Sequence, residues 1–198
     1  MRARLESVEQ TRLRITESTM RLHETVGPAA TTVSAIAEDA GVTRLTVYRH
    51  FPDEEALVGA CGQHWNSLHP RPDVAAWRRT EDPVRRLREA LLATYLWSHE
   101  AAPMMTKIVR DLDTMPAFVR QVLADDERAR ITALAMGWGA RGRGRRRLLA
   151  VLAHALDIRT WQSLCADGGL HDAEAADVMV AAALAACGGD RCGAAGAG

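Results

Sequence analysis

The sequence predicts an all-α protein of two domains, and three observations carry that expectation. Apolar residues recur at helical spacing, most compactly at Val33, Ile36, Ala37 and Ala40. Prolines, glycines and capping residues fall between the periodic segments and divide them into helices. A chain of 198 residues with 47% hydrophobic content is large enough for a small N-terminal domain and a larger helical core.

The first helix is expected from about Leu5 to Val26, stopping at Gly27-Pro28, with Leu13, Ile15, Met20 and Leu22 turned toward the N-terminal core. Arg2, Arg4, Arg12 and Arg14 on it leave two readings open, contacts to a DNA backbone or a solvated arm. The segment from Thr31 to Leu57, TTVSAIAEDAGVTRLTVYRHFPDEEAL, reads as a complete helix-turn-helix. Thr32 is placed to cap its first helix. Gly41 supplies the left-handed backbone of the turn, and Thr43 caps the helix after it. That second helix turns Val47 and Phe51 inward. Its other side offers Arg44, Thr46, Tyr48, Arg49 and His50, all able to bond phosphate oxygens or base edges. Pro52 ends it, and Asp53 with Glu54 and Glu55 opens a fourth helix to about Leu68. A plain solvated face would mix acids with bases; this one holds hydrogen-bond donors.

Beyond it, His69-Pro-Arg-Pro-Asp73 is a breaker, and residues 73–79 form a short helical piece. Asp82-Pro83 starts a helix whose buried face carries Val84, Leu87, Leu91 and Tyr95. Pro103 is expected to divide that helix from Met104, Met105 and Ile108. Pro116 opens the next, with Phe118, Val122 and Leu123. The glycine-rich stretch from Gly137 to Gly144 leads into a long helix, Arg145–Ala166, with Leu148, Leu152, Leu156 and Trp161 along one stripe. The last helix runs from Asp172 to about Cys187, and the Gly/Ala-rich tail is expected to be disordered. The expected domains are therefore residues 1–68, which include the connecting helix, and 69–187, followed by the tail 188–198.

At Thr32, Ile36-Ala37, Ala40-Gly41-Val42, Thr43, Val47-Tyr48, His50-Phe51 and the helix start from Pro52-Asp53 to Leu57, the chain resembles the TetR family of bacterial transcriptional regulators. The resemblance covers about the first third of the chain. His23 stands where the family usually has an aromatic, and Pro28 follows Gly27 where an aromatic is common. Leu45 replaces a small residue, and Glu54 sits where a lysine often meets phosphate. The resemblance implies a ligand-responsive repressor that binds a near-palindromic double-stranded DNA operator as a homodimer. The DNA-contacting set is then Thr32, Thr43, Arg44, Leu45, Thr46, Tyr48, Arg49 and His50, with Thr43, Tyr48 and His50 assigned to phosphates. Arg44 is the candidate for a guanine, with Thr46 or Leu45 against a thymine methyl, and Arg49 suits either job. A small-molecule binding or sequestering protein is the alternative.

The family pattern places the dimer interface on the last two long helices, where Val178, Ala181, Ala182, Ala185 and Ala186 offer a small-residue surface. A final helix packed only within its own chain is the competing reading. The resemblance also implies an effector pocket inside the second domain, with Leu91, Tyr95, Met104, Met105, Ile108, Phe118, Val122, His154 and Trp161 as its expected lining. Methionines and aromatics with few polar handles suit an apolar or aromatic small molecule, although the same residues equally describe an ordinary core.

Other chemistries find little support. Cys61 and His64, one turn apart with His69 nearby, lack further ligands for zinc. His154 and Asp157 share a helix face without a nucleophile, which suits a pocket pair or a core pair. No phosphate-cradling glycine loop or paired carboxylates mark a catalyst, so neither enzyme activity nor a cofactor is expected. The run Arg141, Arg143, Arg145, Arg146 and Arg147 reads as a second nucleic-acid patch or, more simply, a solvated surface. Formal net charge is zero, so any DNA binding depends on local charge. Cys61, Cys165, Cys187 and Cys192 are too sparse for a disulfide framework, and no apolar run is long enough to span a bilayer. With no secretory signal at the start, a cytoplasmic compartment and no membrane partner are expected.

Overall fold

The computed structural model describes residues 2–187, with side chains from residue 6 onward. The expectations for the 188–198 tail, Cys192 and the side chains of Arg2, Arg4 and Leu5 lie outside the described residues. Every regular element among those described is helical. In order they are α1 (Arg2–Thr25), α2 (Val33–Asp39), α3 (Arg44–His50), α4 (Glu54–Leu68) and α5 (Val74–Trp77). Then come α6 (Pro83–Arg110), α7 (Ala117–Leu134), α8 (Gly142–Leu156), α9 (Ile158–Trp161) and α10 (Asp172–Cys187). Short 3-10 turns occupy Pro28–Ala30 and Leu112–Thr114.

The helices gather into two compact units. One comprises the residues up to Pro70 together with Pro103–Gln121, the other Arg71–Ala102 with the residues from Val122 onward. In the first, Ile15, Ile36, Ala37, Ala40, Val47, Phe51 and Leu57 form the core where α1 to α4 meet. The caps read from the sequence are made. The hydroxyls of Thr32 and Thr43 accept from the N–H groups of Ala35 and Thr46 at 3.2 and 3.1 Å, and the Asp53 carboxylate accepts from Ala56 at 2.8 Å. Between α2 and α3, Gly41 takes φ +64°, its N–H bonding Glu38 while that of Val42 reaches back to Ala37. This is a Schellman ending, and it turns the chain sharply without leaving helix carbonyls unpaired.

In the second unit Leu87, Leu91 and Tyr95 of α6 and Leu148 and Leu152 of α8 are fully buried, and α10 packs on α8. Arg86 is buried as well. Its guanidinium donates to the carbonyls of Thr80, Glu81 and Met136 at 2.8, 2.9 and 2.7 Å, fastening the start of α6 to the end of α7. Arg130, also buried, donates to Thr94 Oγ1 at 3.0 Å and lies over the Trp77 ring, and burial pulls its pKa down to about 10.

Three expectations are corrected. Pro103 does not divide a helix, because α6 runs unbroken from Pro83 to Arg110. Proline removes one N–H and crowds the carbonyl four residues back, but Pro103 is exposed, so water can serve that carbonyl. Ala101, Met104 and Met105 around it are buried, and their burial outweighs one lost bond. The helix Arg145–Ala166 is not continuous. It begins earlier, at Gly142, and breaks at Asp157, whose extended backbone (φ −71°, ψ 133°) lets its carboxylate cap α9. A wider π-helical turn, Gln162–Asp167, then continues α9. Asp157 is therefore the cap of α8 and not a further turn of it, although it and His154 line one small hollow. Asp157 pairs with Arg159, and His154 turns to Thr160.

Candidate nucleic-acid interface

The amphipathic division of α3 creates the site. Val47 and Phe51, one turn apart, are buried against α1 and α2, which leaves Arg44, Leu45, Tyr48 and Arg49 together on the exposed side. Leu45 is 76% and Tyr48 47% exposed, high values for residues with so much apolar surface. Thr46 and His50 flank this face half-buried. Seven residues of helix span about 10 Å, which fits within a DNA major groove. Thr43 is exposed at the N-terminal end, its hydroxyl 3.0 Å from that of Thr46.

The orientation of α3 is held from α1. Arg12, a candidate for DNA contact by sequence, is half-buried; its Nη1 donates to the His50 carbonyl at 2.7 Å and its guanidinium sits 4.2 Å over the Phe51 ring. A cation at the end of a helix meets its unpaired carbonyls and the negative end of its dipole. The sequence alone did not suggest this job for Arg12, because the carbonyl it bonds lies 38 residues away. Arg14 stays exposed on the same helix. The imidazole of His50 is held below its ordinary pKa, first by partial burial and then by Arg49 and Arg12. On the other side of α1, Ser18 donates to Asp39 at 2.6 Å and Arg21 pairs with the same carboxylate, fixing α2. Ser18 and then Arg21 hold that carboxylate below its usual pKa.

Glu54 is exposed in the first turn of α4, where a negative charge favours the helix dipole. His23 is buried, with Nδ1 3.8 Å from the Cys61 sulfur. Burial pushes the histidine down to about 4 and the thiol up to about 12, which makes the pair an uncharged packing contact. His64 meets Glu17 at 4.0 Å, and among the described residues no group of three or more His, Cys, Asp or Glu is placed to hold a metal.

A clasp ties the end of α6 to the residues just before α2. Asp111, 8% exposed, accepts the Ala29 N–H at 3.1 Å, while Arg110 bonds Asp111 at 2.6 Å and the Val26 carbonyl at 2.9 Å. Arg110 first, with help from Ala29, brings the Asp111 pKa down to about 2. Gly27, at φ +94°, lies so close that a Cβ there would collide with the Arg110 guanidinium.

The residues expected to line an effector pocket fall into both units. Leu91, Tyr95 and Trp161 are buried in the second; the Tyr95 hydroxyl donates to the Ala155 carbonyl at 3.1 Å and the Trp161 indole to Asp172 at 3.3 Å. His154 is exposed beside a hollow of about 230 Å³, and Val122 is exposed. Met104 and Met105 are buried, and Ile108 and Phe118 half-buried, in the first. Along α10, Ala175, Ala176, Met179, Val180 and Ala183 face inward. Val178, Ala181 and Ala185 are exposed, and Ala182 and Ala186 are half-buried. Among the described residues no helix is long and apolar enough to cross a membrane.

Residues 15–61 match the model of the tetR family of bacterial regulatory proteins. The chain is similar to the HTH-type transcriptional regulator TtgR of Pseudomonas putida, 35% identical over 91 residues. It is similar to the same degree to the probable HTH-type transcriptional regulator ArpR of the same species. Each match covers 46% of this chain and 43% of the relative, so the chain spans less than half the length of the curated relatives it matches. The matched family residues cover the second half of α1, α2, α3 and the first half of α4, whose core and caps present the donor-rich face of α3. Residues 15–61 therefore form an N-terminal helix-turn-helix of the tetR family of bacterial regulatory proteins.

Proposed function

We infer that the protein is a homodimeric transcriptional repressor that reads a near-palindromic operator and is released from it by a small apolar or aromatic ligand. The observation that supports this most is the exposed face of Arg44, Leu45, Tyr48 and Arg49 on a helix anchored by Val47 and Phe51. In a major groove, Arg44 would take a guanine bidentately, Leu45 or Thr46 a thymine methyl, and Thr43, Tyr48 and His50 the phosphates. With its pKa held down, His50 would serve as a neutral N–H donor.

One head of this size reads only a few base pairs, so useful specificity needs two heads. The exposed small residues of α10, with α8 beside it, are the surface on which a second copy would pack. An effector held in the second unit, by Leu91, Tyr95, His154 and Trp161, would act by favouring one spacing of the two heads. The Arg110–Asp111 clasp offers α6 a route to the turn before α2. Release requires that the ligand bind the DNA-incompetent state more tightly, so ligand and operator weaken each other equally.

Gel-shift titration against the DNA flanking the protein's own gene tests the reading. A saturable, salt-dependent complex that survives excess unrelated DNA is expected. Failure to discriminate that DNA from unrelated sequence would favour a small-molecule binding protein with a weak reading head.

A further inference from the structure

A groove on the second unit plays no part in that scheme. The C-terminal half of α7, the turn after it and the first turns of α8 enclose an open hollow of about 770 Å³, lined by residues between Ala124 and Leu149. None of the expected effector-pocket residues contributes to it. Its floor is apolar: Ile131, Ala135, Met136, Leu148 and Leu149. Its rim is cationic, with Arg128, Arg141 and Arg145 against a single acid, Glu127. Arg128 is already paired with Asp125 at 2.7 Å, whereas Arg141 and Arg145 pair with no acid among the described residues. Arg143, Arg146 and Arg147 stand exposed beside them.

Helix stability does not account for these charges. Arginines at the start of α8 face the positive end of its dipole, which disfavours them. The end of α10 does approach Gly144, where a Cβ would meet the Cys187 carbonyl oxygen at 3.1 Å. A helix end supplies only about half a negative charge, too little to balance five guanidinium groups. Nor does the groove suit a second copy of the chain. A two-fold interface buries the same patch on both subunits, and interface cores are depleted of charged residues.

We propose that this groove is a binding site for an amphipathic anion, a medium-chain aliphatic or aryl carboxylate, with its tail on the Ile131–Ala135–Leu149 floor and its carboxylate on Arg141 and Arg145. The hollow falls within the roughly 300–1,000 Å³ usual for small-molecule sites. A guanidinium fork matches a carboxylate bidentately, and the floor rewards an apolar tail that inorganic anions lack.

Calorimetric titration of the full chain with octanoate, 1-octanol and inorganic phosphate tests the site, with light scattering run on the same samples. Octanoate should bind one site per chain at least about tenfold more tightly than either of the others. Arg141→Gln with Arg145→Gln should reduce octanoate to the level of octanol and leave octanol unchanged. Thr132→Trp, at an exposed wall position, should block both. The proposal fails if octanol or phosphate binds as well as octanoate, or if the arginine pair can be replaced without loss. It also fails if Thr132→Trp binds normally, or if these variants change the oligomeric state, which would make the groove a subunit contact. Operator binding by the arginine variants without octanoate should be unchanged, so failure here and failure of the DNA-reading proposal are distinguishable.

Discussion

Arg12 donates to the carbonyl of His50 at 2.7 Å while its guanidinium lies over the neighbouring Phe51 ring, so α1 grips α3 at the end opposite its Thr43 cap. One side chain thus satisfies a helix terminus and packs against the core that orients the reading face. Arg12→Ala should cost about 1–2 kcal/mol of stability, combining a charged hydrogen bond with a cation–π contact. The loss should be present without DNA, measured by urea unfolding, and accompanied by weaker operator binding. Unchanged stability with weaker binding would mean that Arg12 contacts DNA directly.

Arg44 and Tyr48 should fail differently when changed. Arg44→Ala removes a base contact and should cost about 1–3 kcal/mol on the preferred operator while relaxing specificity at one base pair. Tyr48→Phe removes a phosphate donor and should weaken all sequences similarly. Binding to a panel of single-base operator variants separates the two. If Arg44→Ala discriminates among them as the parent does, guanine recognition lies elsewhere.

His23 makes the protein acid-sensitive. Buried beside Cys61, it has a pKa of about 4 against 6.5 for the free side chain, the unfavourable cost of burial outweighing the attraction of Asp111. The unfolded chain therefore binds the proton first, so stability is fully present above pH 6.5 and declines as pH falls toward 4. The total is on the order of 3 kcal/mol. His23→Phe should flatten this part of the stability curve, as followed by denaturant midpoints between neutral pH and pH 4. An undiminished slope would assign the acid sensitivity to other groups.

Gly27→Ala should damage the clasp. The new methyl would force a non-glycine residue into the left-handed region and push Arg110 off the Val26 carbonyl. A loss of about 1–3 kcal/mol is expected. Faster amide exchange should follow at Ala29, whose N–H is held by Asp111. Retained protection there would show that the clasp tolerates the change.

Ala182→Arg or Ala185→Arg should yield monomers by light scattering, because a long charged side chain cannot be buried in a close helix contact. Ala185 is exposed on the side of α10 away from the buried Ala175–Met179–Ala183 row, so Ala185→Arg should keep the fold, whereas Ala182 is half-buried beside that row. A dimer unaffected by both changes would place the interface on another surface.

The helix-turn-helix was legible in the sequence because its determinants act within one or two helical turns. Caps at Thr32, Thr43 and Asp53, the left-handed Gly41 and the opposition of Val47 and Phe51 to Arg44 and Tyr48 need no distant partner to be recognised. Where a local signal competed with burial, tertiary structure decided. Pro103 stayed inside α6 because its neighbours were worth burying, and α8 ended at Asp157, whose side chain gained a new helix to cap. The rest depended on residues far apart in the chain, Arg12 with His50 and Asp111 with Ala29, 82 positions away. An arginine or aspartate looks the same in sequence whether it faces water, DNA or a buried carbonyl. Only the folded chain brings it a partner, and the cost of leaving a buried polar group unpaired then settles its role.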